Sequence, residues 1–294
     1  MTTSEIGLPA DASPEDVVET LRRHGIAQLR GAVEPAVLER LGAEFERALD
    51  EGDRGIDSRH AHPTNRGGRV ARATTRELDP ERFAASRALW LSPRFHAIAR
   101  AYYAPFAVHV NDRLFFTHEL PSESEILPWH FDRTQSLKFW VYLLDCPREA
   151  GAFEYALGSH NEGHFRANYY LLKGVEPSAI PNDVPSDEVR NATCIEGAAG
   201  DLVIFDSDGF HKGGTVQPGQ ERRVIRGHCH PVAASALASG AARRVLSRIQ
   251  HLWSPLSGAL ERVVGDRVRT RAEKSRADVY APIGPGPGSR QGEH

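Results

Sequence analysis

The chain has 294 residues, with 36 Lys and Arg against 39 Asp and Glu and a formal net charge of −3. Apolar content of 40% and charged content of 26% describe a globular chain with a sizeable core, and the near balance of charge gives no argument for nucleic acid or an anionic membrane as partner. Met1–Glu5 lacks a signal-peptide pattern, no stretch reaches the roughly 18–20 apolar residues of a membrane span, and three scattered cysteines (Cys146, Cys194, Cys229) fit buried thiols rather than a disulfide framework. A reducing, cytoplasmic setting is therefore expected.

Ser13-Pro14-Glu15-Asp16 predicts a helix start: a capping serine, proline at the first helical position, then acids at the positive end of the dipole. That helix is expected to reach His24-Gly25, followed by a short strand over Gly25–Arg30. A second amphipathic helix is expected from Glu34 to Glu51, with Val37, Leu38, Leu41, Phe45 and Leu49 at helical spacing. Residues 52–77 change texture, carrying Arg54, Arg59, His60, His62, Arg66, Arg69, Arg72 and Arg76. They read as a long loop or lid with one strand near Val70–Ala73. Two readings of it stay open: a solvated basic loop, or a surface for an anionic group such as a carboxylate or phosphate.

Leu78 to Tyr103 returns to helix, broken near Ser92-Pro93. From residue 106 the texture becomes β: 106–120, 135–144, 200–205 and 222–230 are rich in β-branched and aromatic residues and are separated by turn residues. Strands without helical crossovers predict an antiparallel sandwich or barrel. Residues 161–192 read as a polar, proline-containing insertion. Beyond Pro231, Ala234 to Val264 is expected to be helical with Pro255 interrupting it, then a basic segment at 267–276 and a disordered Gly/Pro-rich end. The domain expectation is one domain over 1–281, with 282–294 as a disordered tail.

Chemistry concentrates in Trp129-His130-Phe131-Asp132. On an extended segment, His130 and Asp132 point to the same side. With His211 they make the two-histidine, one-carboxylate face that holds non-haem Fe(II) and leaves positions open for cosubstrate and O2. Arg222, eleven residues past His211, has the fork to hold a dicarboxylate cosubstrate. Two rival pairs exist, His160-Asn161-Glu162 and His228-Cys229-His230, but neither is followed by an arginine at a suitable distance. If Arg222 points into the barrel, period two takes Val224, Arg226 and His228 there as well. Arg226 and His228 would need buried partners, supplied by a substrate or, as the favoured reading, by an internal hydrogen-bond network.

Taken in order, Trp129–Asp132, Leu137–Leu144, Gly151, Leu157–His160, Gly200–Phe205, His211 and Arg222 resemble the phytanoyl-CoA dioxygenase-like family over roughly residues 14–232. The resemblance implies a mainly β fold with flanking helices: a double-stranded β-helix, or jelly-roll, cupin-like barrel. It implies Fe(II) held by His130, Asp132 and His211, 2-oxoglutarate held through its distal carboxylate by Arg222, and O2 as oxidant. Trp140 matches an aromatic residue beside 2-oxoglutarate in relatives, with a core tryptophan as the other reading. Arg72 falls where relatives place a basic residue near cosubstrate or substrate. Leu157-Gly158 departs from the Pro-Gly of many members, which alters a turn but no ligand.

The implied reaction is oxidation of a C–H bond of a small-molecule substrate, normally hydroxylation, with succinate and CO2 as coproducts and a place in secondary metabolism. Asp132 argues against the halogenase design, in which a small residue replaces the carboxylate. Two alternatives remain: a jelly-roll metal cupin acting without 2-oxoglutarate, and a non-catalytic ligand-binding jelly roll. Composition does not choose between a monomer and a homodimer.

Overall fold

The computed structural model describes residues 5–50, 57–62, 65–104, 108–110, 113–121 and 127–231, with backbone alone over 57–67. All of them belong to one unit of the chain. The elements expected between 234 and 264, the basic segment and the tail lie outside the described residues.

Helix α1 (Pro14–His24) begins as its sequence dictates. The Ser13 hydroxyl accepts from the Asp16 amide at 3.1 Å and Asp16 accepts from the Ser13 amide at 3.3 Å, closing a capping box. It stops at Gly25, whose φ of 79° is left-handed and whose amide donates to the Leu21 carbonyl at 2.7 Å. A Cβ there would lie 2.4 Å from the Tyr155 hydroxyl, so glycine is required both by φ and by space. Helix α2 (Pro35–Asp50) buries Leu41, Phe45, Ala48 and Leu49. Its Glu44 is buried as well and accepts from the Ala85 and Ser86 amides at 2.9 and 2.7 Å, capping the short helix α3 (Ala84–Trp90). Helix α4 (Pro93–Tyr103) follows, so the stretch expected as helix from Leu78 starts instead with turns over 78–83.

The strands are β1 (Gly7–Pro9), β2 (Ile26–Arg30), β3 (Asp57–His62), β4 (Asn65–Thr74), β5 (Val108–Val110), β6 (Arg113–Glu119), β7 (Leu137–Tyr142), β8 (Glu154–Ala156), β9 (Ala192–Cys194), β10 (Leu202–Asp206), β11 (His211–Lys212) and β12 (Arg222–Pro231). Among the described residues they form a large sheet in the order β1-β2-β10-β7-β12-β6-β4-β3, with β5 also on β12, and a small sheet β11-β8-β9. This is a jelly roll whose two sheets face each other without closing into one hydrogen-bonded barrel. Period two divides the large sheet cleanly. Ile225, Cys229, Phe139, Val141, Leu202 and Ile204 join the helices in the outer core, while Val224, Trp140, Tyr142, Val203 and Phe205 meet Phe153 and Tyr155 in the inner one.

Two expectations need correction. Within 52–77 the described residues are not a loop with one strand, because β3 and β4 pair with each other and extend the large sheet through six residue pairs between β4 and β6. Ladder bonds and the buried Ala71 and Ala73 outweigh the poor strand propensity of its Gly and Arg residues. The 161–192 insertion contains helix α5 (His160–Leu172), whose hydrophobic stripe is weak and whose docking rests on close backbone approach. A Cβ at Gly163 would lie 1.7 Å from the Asp208 carbonyl oxygen, so α5 sits directly on the loop that leads to His211. No described helix is long and apolar enough to cross a membrane.

Candidate metal centre

His130 and His211 are held side by side by the backbone. The His130 amide donates to the His211 carbonyl at 3.0 Å and the His211 amide returns the bond at 2.8 Å, an isolated antiparallel pair that sets both rings on one side, 4.4 Å apart. Asp132 is pinned two residues on by its amide, which donates to the Ser207 carbonyl at 2.8 Å. Ligand atoms of His130, Asp132 and His211 all lie within 4.8 Å of one another, and among the described residues this is the one such group.

The imidazoles are set for metal. His130 Nδ1 lies 2.8 Å from the Pro128 carbonyl and His211 Nδ1 lies 2.7 Å from the Gly209 carbonyl. A carbonyl only accepts, so each Nδ1 carries the proton and each Nε2 presents a lone pair. Burial lowers the pKa of both rings, that of His211 strongly, which keeps them unprotonated as ligands must be. Burial works to raise the Asp132 carboxyl, yet Lys138 and His211 beside it hold it well below the usual carboxylate range. Lys138 Nζ is 2.7 Å from Asp132 Oδ2, while Asp132 Oδ1 faces His211 Nε2 at 3.8 Å.

The other expected residues share the inner face of the large sheet. Register places Arg222 opposite Glu119, Val224 opposite Thr117 and Tyr142, Arg226 opposite Phe115 and Trp140, and His228 opposite Lys138. Arg72 pairs with Phe115 on the far side of β6. Arg222 is 2% exposed. Its Nε and Nη2 both donate to Glu119 and its Nη1 donates to the Gly151 carbonyl, leaving one N–H on each terminal nitrogen. Although burial acts against it, Glu119 holds this guanidinium above its ordinary pKa. Trp140 packs on Phe153 and Phe205 at 5.0 and 5.3 Å between ring centroids, and its buried Nε1 has no hydrogen-bond partner among the described residues. Arg69, one of the basic-loop arginines, turns instead to the end of α2 and bonds the Leu49 carbonyl and Asp50.

Among the described residues, Arg226 Nε and His228 Nε2 find no hydrogen-bond partner, so the internal network expected around them is not formed there. Seven buried side-chain atoms lack a hydrogen-bond partner among the described residues. Four belong to this inner face: Thr117 Oγ1, Trp140 Nε1, Arg226 Nε and His228 Nε2. The remaining three, on Tyr103, His160 and Asp208, line a separate cleft of about 630 Å³ beside α4 and α5, which includes none of the three clustered ligands. Around the rival pairs, His164 Nδ1 sits 2.7 Å from Asp208 and His230 Nδ1 sits 3.0 Å from the Gln135 carbonyl, whereas His160 Nδ1 and His228 Nε2 have no hydrogen-bond partner among the described residues.

Lys138 and Glu119 were not singled out from the sequence. Lys138 carried a signal, as the one charge in the otherwise apolar run Leu137–Tyr142. Glu119 becomes visible only once the register of β6 on β12 is known.

The fold has solved counterparts. The α-ketoglutarate-dependent carbocyclase SnoK from nogalamycin biosynthesis matches with a TM-score of 0.56 at 18% identity, covering 78% of this chain and 85% of its own. The epimerase SnoN, solved with Fe3+, α-ketoglutarate and nogalamycin RO, gives 0.52 at 18% identity, covering 77% and 89%. AviO1 from Streptomyces viridochromogenes Tue57 gives 0.52 at 22%, covering 76% and 96%. At such identities the likeness is one of fold. No curated protein matches the chain. The family model for phytanoyl-CoA dioxygenase (PhyH) matches residues 21–224, well over half of the sequence, and the chain belongs to that family.

Proposed function

We propose that this protein is a non-haem Fe(II)/2-oxoglutarate-dependent dioxygenase that oxidises a C–H bond of a small molecule. The observation that carries the reading is the trio of His130, Asp132 and His211, with both Nδ1 atoms tied to carbonyls and both Nε2 atoms turned inward. Its donor set fits Fe(II): two imidazoles and one carboxylate on one face. Bound iron would supply the O2 chemistry that couples oxidation of 2-oxoglutarate, to succinate and CO2, to oxidation of the substrate, with hydroxylation the default outcome.

The chain's own residues supply the setting. His130 and His211 keep their tautomers through Pro128 and Gly209, and Lys138 occupies one Asp132 oxygen so that the other faces the metal position. Arg222 offers its two remaining N–H groups to the distal carboxylate. Trp140, Phe153 and Phe205 wall the site with apolar surface that excludes water. The buried, unpartnered atoms of Thr117, Trp140, Arg226 and His228 make a cradle suited to a polar ligand.

Support from outside the chain is of the same kind: SnoN binds α-ketoglutarate with iron and the natural product nogalamycin RO, and HygX from Streptomyces hygroscopicus binds 2-oxoglutarate with nickel and hygromycin B. We read the substrate as a small molecule of secondary metabolism and the setting as cytoplasmic. Fe(II)-dependent succinate formation from 2-oxoglutarate, lost in His130→Ala, tests the reading. Metal binding without any succinate or CO2 release would favour the cupin alternative.

A further inference from the structure

Arg222 and Arg226 lie two pleats apart on one face of β12, yet their surroundings are opposite. Arg222 has its charge met by Glu119 through two nitrogens and its third donor taken by Gly151. Among the described residues no carboxylate pairs with Arg226. Its guanidinium carbon stands 5.1 Å from the Phe115 ring centroid and 5.6 Å from that of Trp140, clasped between two aromatic faces. Its Nε is buried and makes no hydrogen bond among the described residues, and Thr117 Oγ1, Trp140 Nε1 and His228 Nε2 nearby are in the same condition. Stacking on rings holds a guanidinium in place but leaves its in-plane donors unused. Burial pushes the Arg226 pKa down, and the carboxylates that offset this, Glu119 and Asp132, belong to the two ends of the site. Arg226 therefore stands between the arginine–glutamate pair and the candidate metal ligands, as a largely desolvated cation that no carboxylate among the described residues pairs with.

We propose that Arg226 supplies the uncompensated positive charge that receives the distal carboxylate of the 2-oxo acid, so that Arg222 and Arg226 act together as a two-guanidinium clamp. Arg222, neutralised by Glu119, contributes directed donors. Arg226 contributes the net charge. Thr117 and Trp140 add neutral donors beside it. This rests on the 2-oxoglutarate reading of the site, and the sequence spacing that points to Arg222 gives no hint of it.

The test uses the full-length protein loaded with Co(II), which binds without turnover, titrated calorimetrically with 2-oxoglutarate and with 2-oxopentanoate, the same carbon chain without the distal carboxylate. Arg226→Met is expected to weaken 2-oxoglutarate binding about thirtyfold and to leave 2-oxopentanoate unchanged, as loss of one charge-assisted contact requires. Arg226→Lys, which keeps the charge, is expected to retain most of the preference. In wild-type protein loaded with Zn(II), the Arg226 Nε–H resonance is expected to shift on adding 2-oxoglutarate and not 2-oxopentanoate, which tests the contact without any variant. A preference for 2-oxoglutarate kept intact in Arg226→Met, or an Arg226 resonance indifferent to it, overturns the role of Arg226 alone. Wild-type protein that binds metal but neither 2-oxo acid overturns the reading of the site, and this clamp with it.

Discussion

Lys138 and Asp132 form an ion pair at 2.7 Å that engages only the Oδ2 oxygen, leaving Oδ1 turned toward His211. The lysine thus does two things to the carboxylate: it compensates a partly buried charge and it selects which oxygen is presented. In Lys138→Met the metal-free protein is expected to lose about 1 kcal/mol, because a partly buried carboxylate is left without its counterion. A divalent metal then becomes the main compensating charge, so Co(II) should raise the Tm of the variant more than that of wild type. Equal metal-induced shifts in the two proteins would show that Lys138 does not compensate Asp132.

His130→Ala and Asp132→Ala are expected to abolish succinate formation, both with and without substrate. Each removes one of three converging ligands, and two ligands do not hold Fe(II) in the open facial geometry. Retained succinate production in either variant, measured with added Fe(II) and 2-oxoglutarate, would remove the trio from the reaction.

Arg222 carries structure as well as binding. Arg222→Met strands Glu119 as a buried, unpaired carboxylate and leaves the Gly151 carbonyl without its donor, an expected loss of about 3 kcal/mol in denaturant unfolding. Adding Glu119→Met to it should recover much of that loss, since replacing both members by apolar groups removes the stranded charge. The affinity for 2-oxoglutarate should fall in both variants while metal binding stays nearly intact. Additive losses in the double variant would deny the pairing its energetic weight.

Acid sensitivity has an identifiable source in His228. Burial lowers its pKa far below the ordinary value of about 6.5, so the folded protein refuses a proton that the unfolded chain accepts. The stability His228 allows is complete above pH about 6.5 and falls by up to about 1.4 kcal/mol for each unit below it, until the folded pKa is reached. His228→Phe keeps the stacking on Phe115, now at 5.2 Å between centroids, and removes the titration. Its Tm should decline less than that of wild type between pH 7 and pH 5. Parallel declines would place the acid sensitivity elsewhere.

Much of this was legible in the sequence, and the reasons are local. The Ser13-Pro14 cap, the Gly25 stop and the strands around β7, β10 and β12 are written in short-range patterns of capping, turn chemistry and period two. So was the same-facing set of Arg222, Val224, Arg226 and His228. The β3–β4 hairpin was not, because an Arg- and Gly-rich stretch becomes strand only by pairing with β6, which is a tertiary fact. Helix α5 escaped for the opposite reason: its docking depends on Gly163 lying against the Asp208 carbonyl rather than on an apolar stripe. Within the candidate site, spacing pointed to His130, Asp132 and His211, which the fold brings together, whereas the partners Lys138 and Glu119 required the register.

The central claim is that Fe(II) and 2-oxoglutarate meet at His130, Asp132 and His211. Anaerobic titration of 2-oxoglutarate into the Fe(II)-loaded protein, followed by visible absorption, tests it most directly. A charge-transfer band that grows to saturation in wild type and is absent in Asp132→Ala is the expected result. Wild-type protein that takes up Fe(II) yet develops no band at saturating 2-oxoglutarate would contradict it.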